Sequence, residues 1–584
     1  MEDPLLLQDM SIESVSLNAH PLVVALTKKL GIIDVLNEKL PKDPRSKVSD
    51  AQCVSAMVLN ILSGRTALYR MESWTNGLPV ELLFGQGCQS SDFNDERFAN
   101  CLDNIFQAGT DTLLSSIVEH YLTSEDRTRT YSIHQDSTTL SLFGVYDTTL
   151  PEWAPSPKHG HSKDHRPDLK QLVFGLTLHG ATGMPIISNL FDGNTSDKHM
   201  NSYHIETLST MLPEEDEITL VADSKLVDAS ILGALLQNEM NFISLVPRTY
   251  NNRAKAIELL LAHDEEAPIL GQSPKRKKGD PDKVYRGRSF NLHFSVKSPG
   301  EKKAKPKELR FLAIHSDAQK AKFIAGLDSR LAKEQKKIEA SISKANKNPF
   351  TCEEDAQRAL NKIVSSAKFH TVNAKIEMFE EPGKRPKGRP RKDSPAPTMT
   401  KKYKFKLESC EKDETSITKE QVNKSHFVLI TNHLNHDTHP DRWILSEYRH
   451  QQVVEGNTGF RWLKGPARVT PMFLKKPERI AALGFVFILA LLVRNYLQFM
   501  VRKSLKESGE TVPYYDRKKV TAKPTAEVVW DLFSDLVLIT VKMPKVKPVL
   551  RLQGLTEAHI RILKVFGWDN DVLIAPLKTS TPSG

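Results

Sequence analysis

Apolar positions recur at helical spacing through 22–40, 51–62 and 98–122, with no long alternating run among them. The first 125 residues therefore predict a helical domain. The pattern then changes. Residues 131–142, 171–178, 185–190, 218–222 and 242–246 read as strands, with helices at 202–211 and 229–237 between the later ones. Neighbouring strands followed by strands alternating with helices predict a mixed α/β sheet. Beyond 249 the pattern breaks up: a basic loop at 274–279, a charged helical pair within 318–367 and a proline-rich linker at 382–398. Strands return at 403–407 and 426–431, and helices at 446–463 and 477–506. No internal repeat is visible.

Residues 480–493 are fourteen positions without a charge, closed by Arg494. Spanning a bilayer takes about 20 apolar residues, so this stretch predicts a helix buried in a protein core and no membrane partner. The N-terminus opens with Glu2 and Asp3 and lacks the basic start of a secretory signal. Five scattered cysteines form no CxxC pair, which argues against a disulfide scaffold or a cysteine zinc site. A soluble, cytoplasmic protein is expected.

Length changes the picture first. A chain of 584 residues holds several domains. Charge divides them. Residues 1–270 carry 20 basic and 37 acidic side chains, whereas residues 271–584 carry 61 and 34. An acidic half that collects carboxylates and a basic half that grips phosphates would look like this, and so would a solvated basic linker.

Three carboxylates carry the candidate chemistry. Asp136 lies within the predicted strand Ser132-Ile-His-Gln-Asp-Ser-Thr-Thr-Leu, and Asp223 ends the apolar strand Ile218-Thr-Leu-Val-Ala-Asp. A carboxylate in or at the end of a buried strand is costly unless it is paired or holds a metal, although each could simply cap a turn. Glu455, in Tyr448-Arg-His-Gln-Gln-Val-Val-Glu, supplies a third oxygen donor on a predicted helix. An all-oxygen set suits Mg²⁺ or Mn²⁺.

These segments resemble the DDE transposases of bacterial and archaeal insertion sequences, in the insertion-sequence-four superfamily and its branch with a long helical N-terminal domain. Val58-Leu-Asn-Ile-Leu and Leu68-Tyr-Arg-Met-Glu-Ser-Trp are similar to that N-terminal domain, and His134-Gln-Asp-Ser-Thr-Thr to the first-aspartate motif. Gly160-His-Ser-Lys-Asp-His-Arg-Pro-Asp-Leu-Lys-Gln and Phe191-Asp-Gly-Asn-Thr-Ser-Asp match two further blocks. Val221-Ala-Asp resembles the second-aspartate motif, and Gln451-Gln-Val-Val-Glu with Gly459-Phe-Arg-Trp-Leu-Lys-Gly-Pro the glutamate motif.

The resemblance implies an RNase H-like mixed-sheet catalytic domain, a helical N-terminal domain and a large basic insertion before the last catalytic helix. It implies Asp136, Asp223 and Glu455 as catalytic ligands of two Mg²⁺ or Mn²⁺ ions. It also implies double-stranded DNA as partner, both terminal inverted repeats and target, with a homodimer in the DNA complex. The domains would run 1–125 for end recognition, 126–248 and 441–510 for the core, 249–440 for the insertion and 511–584 for a C-terminal region. The family's Tyr–Arg–Glu–Lys pattern is kept in part: Tyr448 and Glu455 have its spacing, Gln451 stands at the Arg position and Trp462 at the Lys position. Arg449 and Lys464 are the basic residues left nearby to meet phosphate. A DNA-binding protein that has kept the fold without the chemistry is the alternative, and a nuclease that cuts without joining is another.

Several features stand apart from that core. Lys384-Arg-Pro-Lys-Gly-Arg-Pro-Arg-Lys resembles an AT-hook, so Lys387, Arg389 and Arg391 are expected at a minor groove; a charged linker has the same composition. Lys163, Arg166 and Lys170 could hold phosphates or form a solvated basic turn. Asn194 and Asp197 read as a capped turn before a helix. His433, His436 and His439 are spaced three apart, but a loop before Pro440 without cysteines argues against zinc, and His159, His161 and His165 are similar.

Overall fold

The computed structural model describes residues 10–41, 43–124, 130–146, 154–211, 216–263, 267–273, 283–383, 398–470, 472–543 and 546–574. A first strand, β1 (Ser11–Ser16), precedes the N-terminal helices. The central sheet takes β2 (Thr130–Leu142), β3 (Lys170–His179), β4 (Pro185–Phe191), β5 (Glu217–Ala222) and β6 (Asn241–Leu245). It continues with β7 (Ile269–Ser273), β8 (Lys283–Val296) and β9 (Lys305–Ser316). A hairpin of β10 (His370–Pro382) and β11 (Met399–Lys412) intervenes before the last member, β12 (His426–Thr431). The nine strands lie in the order β4-β3-β2-β5-β6-β12-β9-β8-β7. β2, β5 and β6 run parallel, and every other neighbouring pair is antiparallel.

β2 is rich in β-branched residues and lies between two partners, so it is buried on both faces along most of its length. β3 is apolar almost throughout for the same reason. Helix Asp197–Met211 approaches the sheet at Gly175, where a Cβ would stand 3.0 Å from His204 and from Met200.

The insertion differs from the broken pattern expected of it. Besides the expected strand β12, it contributes β7, β8 and β9 to the sheet. In β8, buried Leu292, Phe294 and Val296 alternate with exposed Asn291, His293 and Ser295, the period of a strand with one solvated face. The predicted helical pair is three helices, Asp317–Ala325, Leu327–Lys347 and Glu353–Ser366. Ile338, Ile342, Leu360, Val372 and Phe405 form a separate small core between those helices and the β10–β11 hairpin.

The predicted apolar helix extends over Pro477–Ser508. Among the described residues it is the one helix long and apolar enough to cross a membrane, and its apolar stretch is wholly buried inside the molecule. It packs on helices Asp50–Leu62 and Asp95–Ala108 and on β4. Its Arg494 is 2% exposed, pairs with Glu527 at 2.7 Å and lies over the Trp462 ring at 5.2 Å. A buried charge with these partners is compensated.

The N-terminal region is not helical alone. β1 pairs with strand Val537–Met543, which pairs in turn with Val546–Gln553, so the first and last described segments share one sheet. The single helix predicted at 446–463 is three short pieces, Asp441–Arg449, Gln452–Glu455 and Phe460–Lys464. Gly459 makes the break tight: a Cβ there would stand 1.9 Å from the carbonyl oxygen of Val454.

Candidate active site

Register brings the two aspartates level. In the parallel pair β2–β5, His134 sits opposite Val221; Asp136 lies two residues farther along β2, and Asp223 lies two residues farther on, just past the end of β5. Glu455 ends the short helix Gln452–Glu455, which packs on β2 and β3. That turn is tied to the sheet by Gln451, whose buried amide donates to the carbonyl of Gln135 at 2.9 Å, one residue from Asp136.

Local hydrogen bonds hold each aspartate. Asp136 is half-buried and accepts from the backbone N–H of Ser137 at 2.7 Å. Asp223 reaches the surface, accepts from the N–H of Lys225 at 2.9 Å, and its carbonyl accepts from the Ser244 hydroxyl at 2.7 Å. Lys163 is the cation beside Asp136, and Lys225 is a second one near Asp223. The Lys163 Nζ lies 3.5 Å from Asp136 Oδ1 and donates to the Ser137 carbonyl and hydroxyl at 2.7 and 2.9 Å.

The electrostatics are those of a crowded anionic site. Desolvation, followed by the opposing effect of Lys163, acts on Asp136, whose carboxyl is held above its ordinary range with Asp223 adding to the rise. Desolvation also raises Asp223, and the nearby Asp197 raises it further. Glu455 is raised by desolvation, then by Asp136 and Asp223. Tyr448 is pushed well above the ordinary phenol range by burial and by the charges of Asp223 and Glu455. Carboxylates that disfavour one another's ionisation at an open surface are suited to a divalent cation. The donor set, all oxygen, fits Mg²⁺ or Mn²⁺.

Two participants were weighted otherwise by sequence. Asp197 starts helix Asp197–Met211 and accepts from Ser137 Oγ at 3.0 Å, so it is a further carboxylate at the site as well as a turn residue. Lys163 separates from its basic neighbours: Arg166 pairs with Asp168 at 2.7 Å, and Lys170 donates to the Val145 carbonyl at 2.5 Å. The signal was the charged residue in each of the two blocks around 160–171 and 191–197. A groove of about 550 Å³ opens beside the carboxylates, lined by Ser137, Lys163, Asp197, Lys198, Lys225 and Tyr250.

The remaining predicted residues have mixed placements. Tyr448 neighbours Asp223 and Glu455. Arg449 lies over the Tyr285 ring at 4.8 Å and donates to Ser273 at 2.5 Å. Lys464 is half-buried in an ion pair with Asp164 at 2.6 Å. Gln451 and Trp462, at the two positions that depart from the family pattern, are buried structural residues. Lys387, Arg389 and Arg391 lie outside the described residues. Their flanks are described: Gly383 at the end of β10 donates its N–H to the Thr398 carbonyl beside β11 at 3.0 Å.

Residues 12–119 match the model of a domain of unknown function, DUF4277. No curated protein sequence matches the chain. Among solved structures, the chain is similar to piggyBac transposase in a synaptic complex with hairpin DNA. The identity is 10%, the match covers 50% of this chain and 60% of that chain, and the TM-score is 0.25.

Proposed function

We propose that this protein is a metal-dependent DNA transposase with an RNase H-like core. The observation that carries the reading is the group of Asp136, Asp223 and Glu455, drawn from distant parts of the chain to one end of β2 and β5, with Asp223 acting on Asp136 and both acting on Glu455. The strand order β4-β3-β2-β5-β6, with β2, β5 and β6 parallel, supports the core assignment, and the motif resemblance supports the transposase assignment.

Asp136, Asp223 and Glu455 would hold Mg²⁺ or Mn²⁺, which when bound lowers the barrier to in-line displacement at phosphorus. The protein's own residues do the positioning. Register sets the aspartates level, Gln451 holds the glutamate turn against β2, and Lys163 lies where a phosphate oxygen would approach the carboxylates. The substrate is double-stranded DNA, with end recognition by the N-terminal domain, the AT-hook-like stretch at a minor groove and a homodimer joining two ends. A cytoplasmic location fits this role.

The test is Mg²⁺-dependent cleavage of DNA carrying the element's flanking repeats, with strand transfer scored separately. Glu455→Gln is expected to lower cleavage roughly 10³-fold or more, the scale of removing one member of a catalytic unit, with DNA binding retained. Cleavage by both proteins would remove Glu455 from the site. Cleavage by neither, with binding intact, would favour the DNA-binding protein without chemistry, a reading that the non-family residues Gln451 and Trp462 keep in view. Cleavage without joining would make it a nuclease.

A further inference from the structure

The end of β5 opposite Asp223 carries a second cluster. Glu217 begins the strand, and the loop after β12 brings His433 and His439 beside it, with one donor atom of each residue within 4.8 Å of the others. His436, midway between the two histidines, is exposed and not part of the group. We infer that Glu217, His433 and His439 form a transition-metal site, for which Zn²⁺ is the natural occupant.

The loop is built to hold these rings. Arg310, fully buried, donates to the carbonyls of His433 and His439 at 3.2 and 2.8 Å and pairs with Asp441 at 2.5 Å. The His433 and His439 rings stand 3.9 Å apart, with Trp443 against both. One nitrogen of each imidazole meets a hydroxyl: His433 Nε2 is 2.9 Å from Thr219 Oγ1, and His439 Nδ1 is 3.0 Å from Thr438 Oγ1. A ring that donates N–H there keeps its other nitrogen as a lone pair for a metal, the usual outer arrangement at zinc-bound histidines.

Two imidazoles and a carboxylate match Zn²⁺ and leave its fourth position open to water. Ligands on tetrahedral zinc lie about 3.3 Å apart, given bonds near 2.0–2.2 Å. Closing the remaining distance takes a swing of the exposed Glu217 side chain, which accepts from the Asn241 amide at 3.5 Å, and a parting of the two rings. The ion would pin the start of β5 to the chain just before helix Asp441–Arg449, where the polypeptide re-enters the core on its way to Glu455. This inference is independent of the transposase reading.

The experiment titrates Zn²⁺ against a chromophoric chelator, and Co²⁺ by its visible ligand-field bands, into the full-length Asp136→Asn/Asp223→Asn protein, in which the catalytic carboxylates no longer compete. One equivalent is expected. Thr219→Val should weaken binding about 10–100-fold, His439→Gln and Glu217→Gln by more, and His436→Gln not at all. Circular dichroism checks each variant's fold, and Glu217→Gln, at an exposed position, keeps the test valid if His439→Gln does not fold. Absence of saturable binding at micromolar metal would overturn the site, as would equal losses in His436→Gln and His439→Gln.

Discussion

The two halves of the nine-stranded sheet treat charge in opposite ways. In the insertion half, Arg310 is fully buried yet meets Asp441, two loop carbonyls and the Ser289 hydroxyl, so every part of its guanidinium has a partner. In the half around β2 and β5, three carboxylates and Asp197 crowd together with Lys163 and Lys225 as cations beside them. Satisfied charge makes structure, and charge left short of partners makes a site for something cationic. The contrast separates the two halves by purpose although they share one continuous sheet.

The comparison can be broken most severely at Arg310. Arg310→Met takes the donor from the two loop carbonyls and the cation from Asp441, which keeps the Ser289 N–H, and a loss of about 3–5 kcal/mol is expected, read as a lower denaturant midpoint. Gln451→Ala should cost less, about 1–3 kcal/mol for a buried carbonyl left unpaired. Because it loosens the turn that carries Glu455, cleavage should fall further than stability does.

A third measurement sharpens the anionic side. Asp136, Asp223 and Glu455 have raised pKa values in the folded protein, so the folded state binds more protons than the unfolded one above about pH 4. Their contribution to stability is therefore present at low pH and lost as pH rises through the raised folded values. Asp136→Asn/Asp223→Asn should flatten that part of the stability profile, and Mg²⁺ should stabilise the parent but not the double variant. An unchanged profile would show that the carboxylates do not repel. The smallest effect is expected at Lys464. Its pair with Asp164 is partly exposed, so Lys464→Ala should change stability by less than about 1 kcal/mol and leave the salt slope of DNA binding unchanged.

Much of this contrast was legible in the chain. Strand-like runs ending in or enclosing an aspartate marked β2 and β5, and periodicity marked the N-terminal helices. Of the insertion strands, β12 and the middle of β11 were marked in the sequence, whereas β7, β8 and β9 were missed for a physical reason. β8 shows one face to solvent and carries arginines and polar residues between its apolar positions, so its two-residue period hides inside a basic composition. The break after Glu455 was missed because glycine in a helical pattern is ambiguous until the carbonyl it must approach, here that of Val454, is known. His433 and His439 looked like loop residues because their third neighbour, Glu217, is more than 200 positions away and only the sheet brings it near.

The long helix Pro477–Ser508 closes a core that the chain begins to make at residue 20. During synthesis at about 5–20 residues per second, helix Thr110–Ser124 leaves the ribosome roughly 20–70 s before that partner exists. Over that interval the faces of Asp50–Leu62 and Asp95–Ala108 that meet the long helix lack that native cover, and β1 has no strand to join until Val537–Met543 is made. The helical domain is thus translated well before the partner that finishes it, so a product terminated in between would be a client for chaperones and proteases rather than a working fragment.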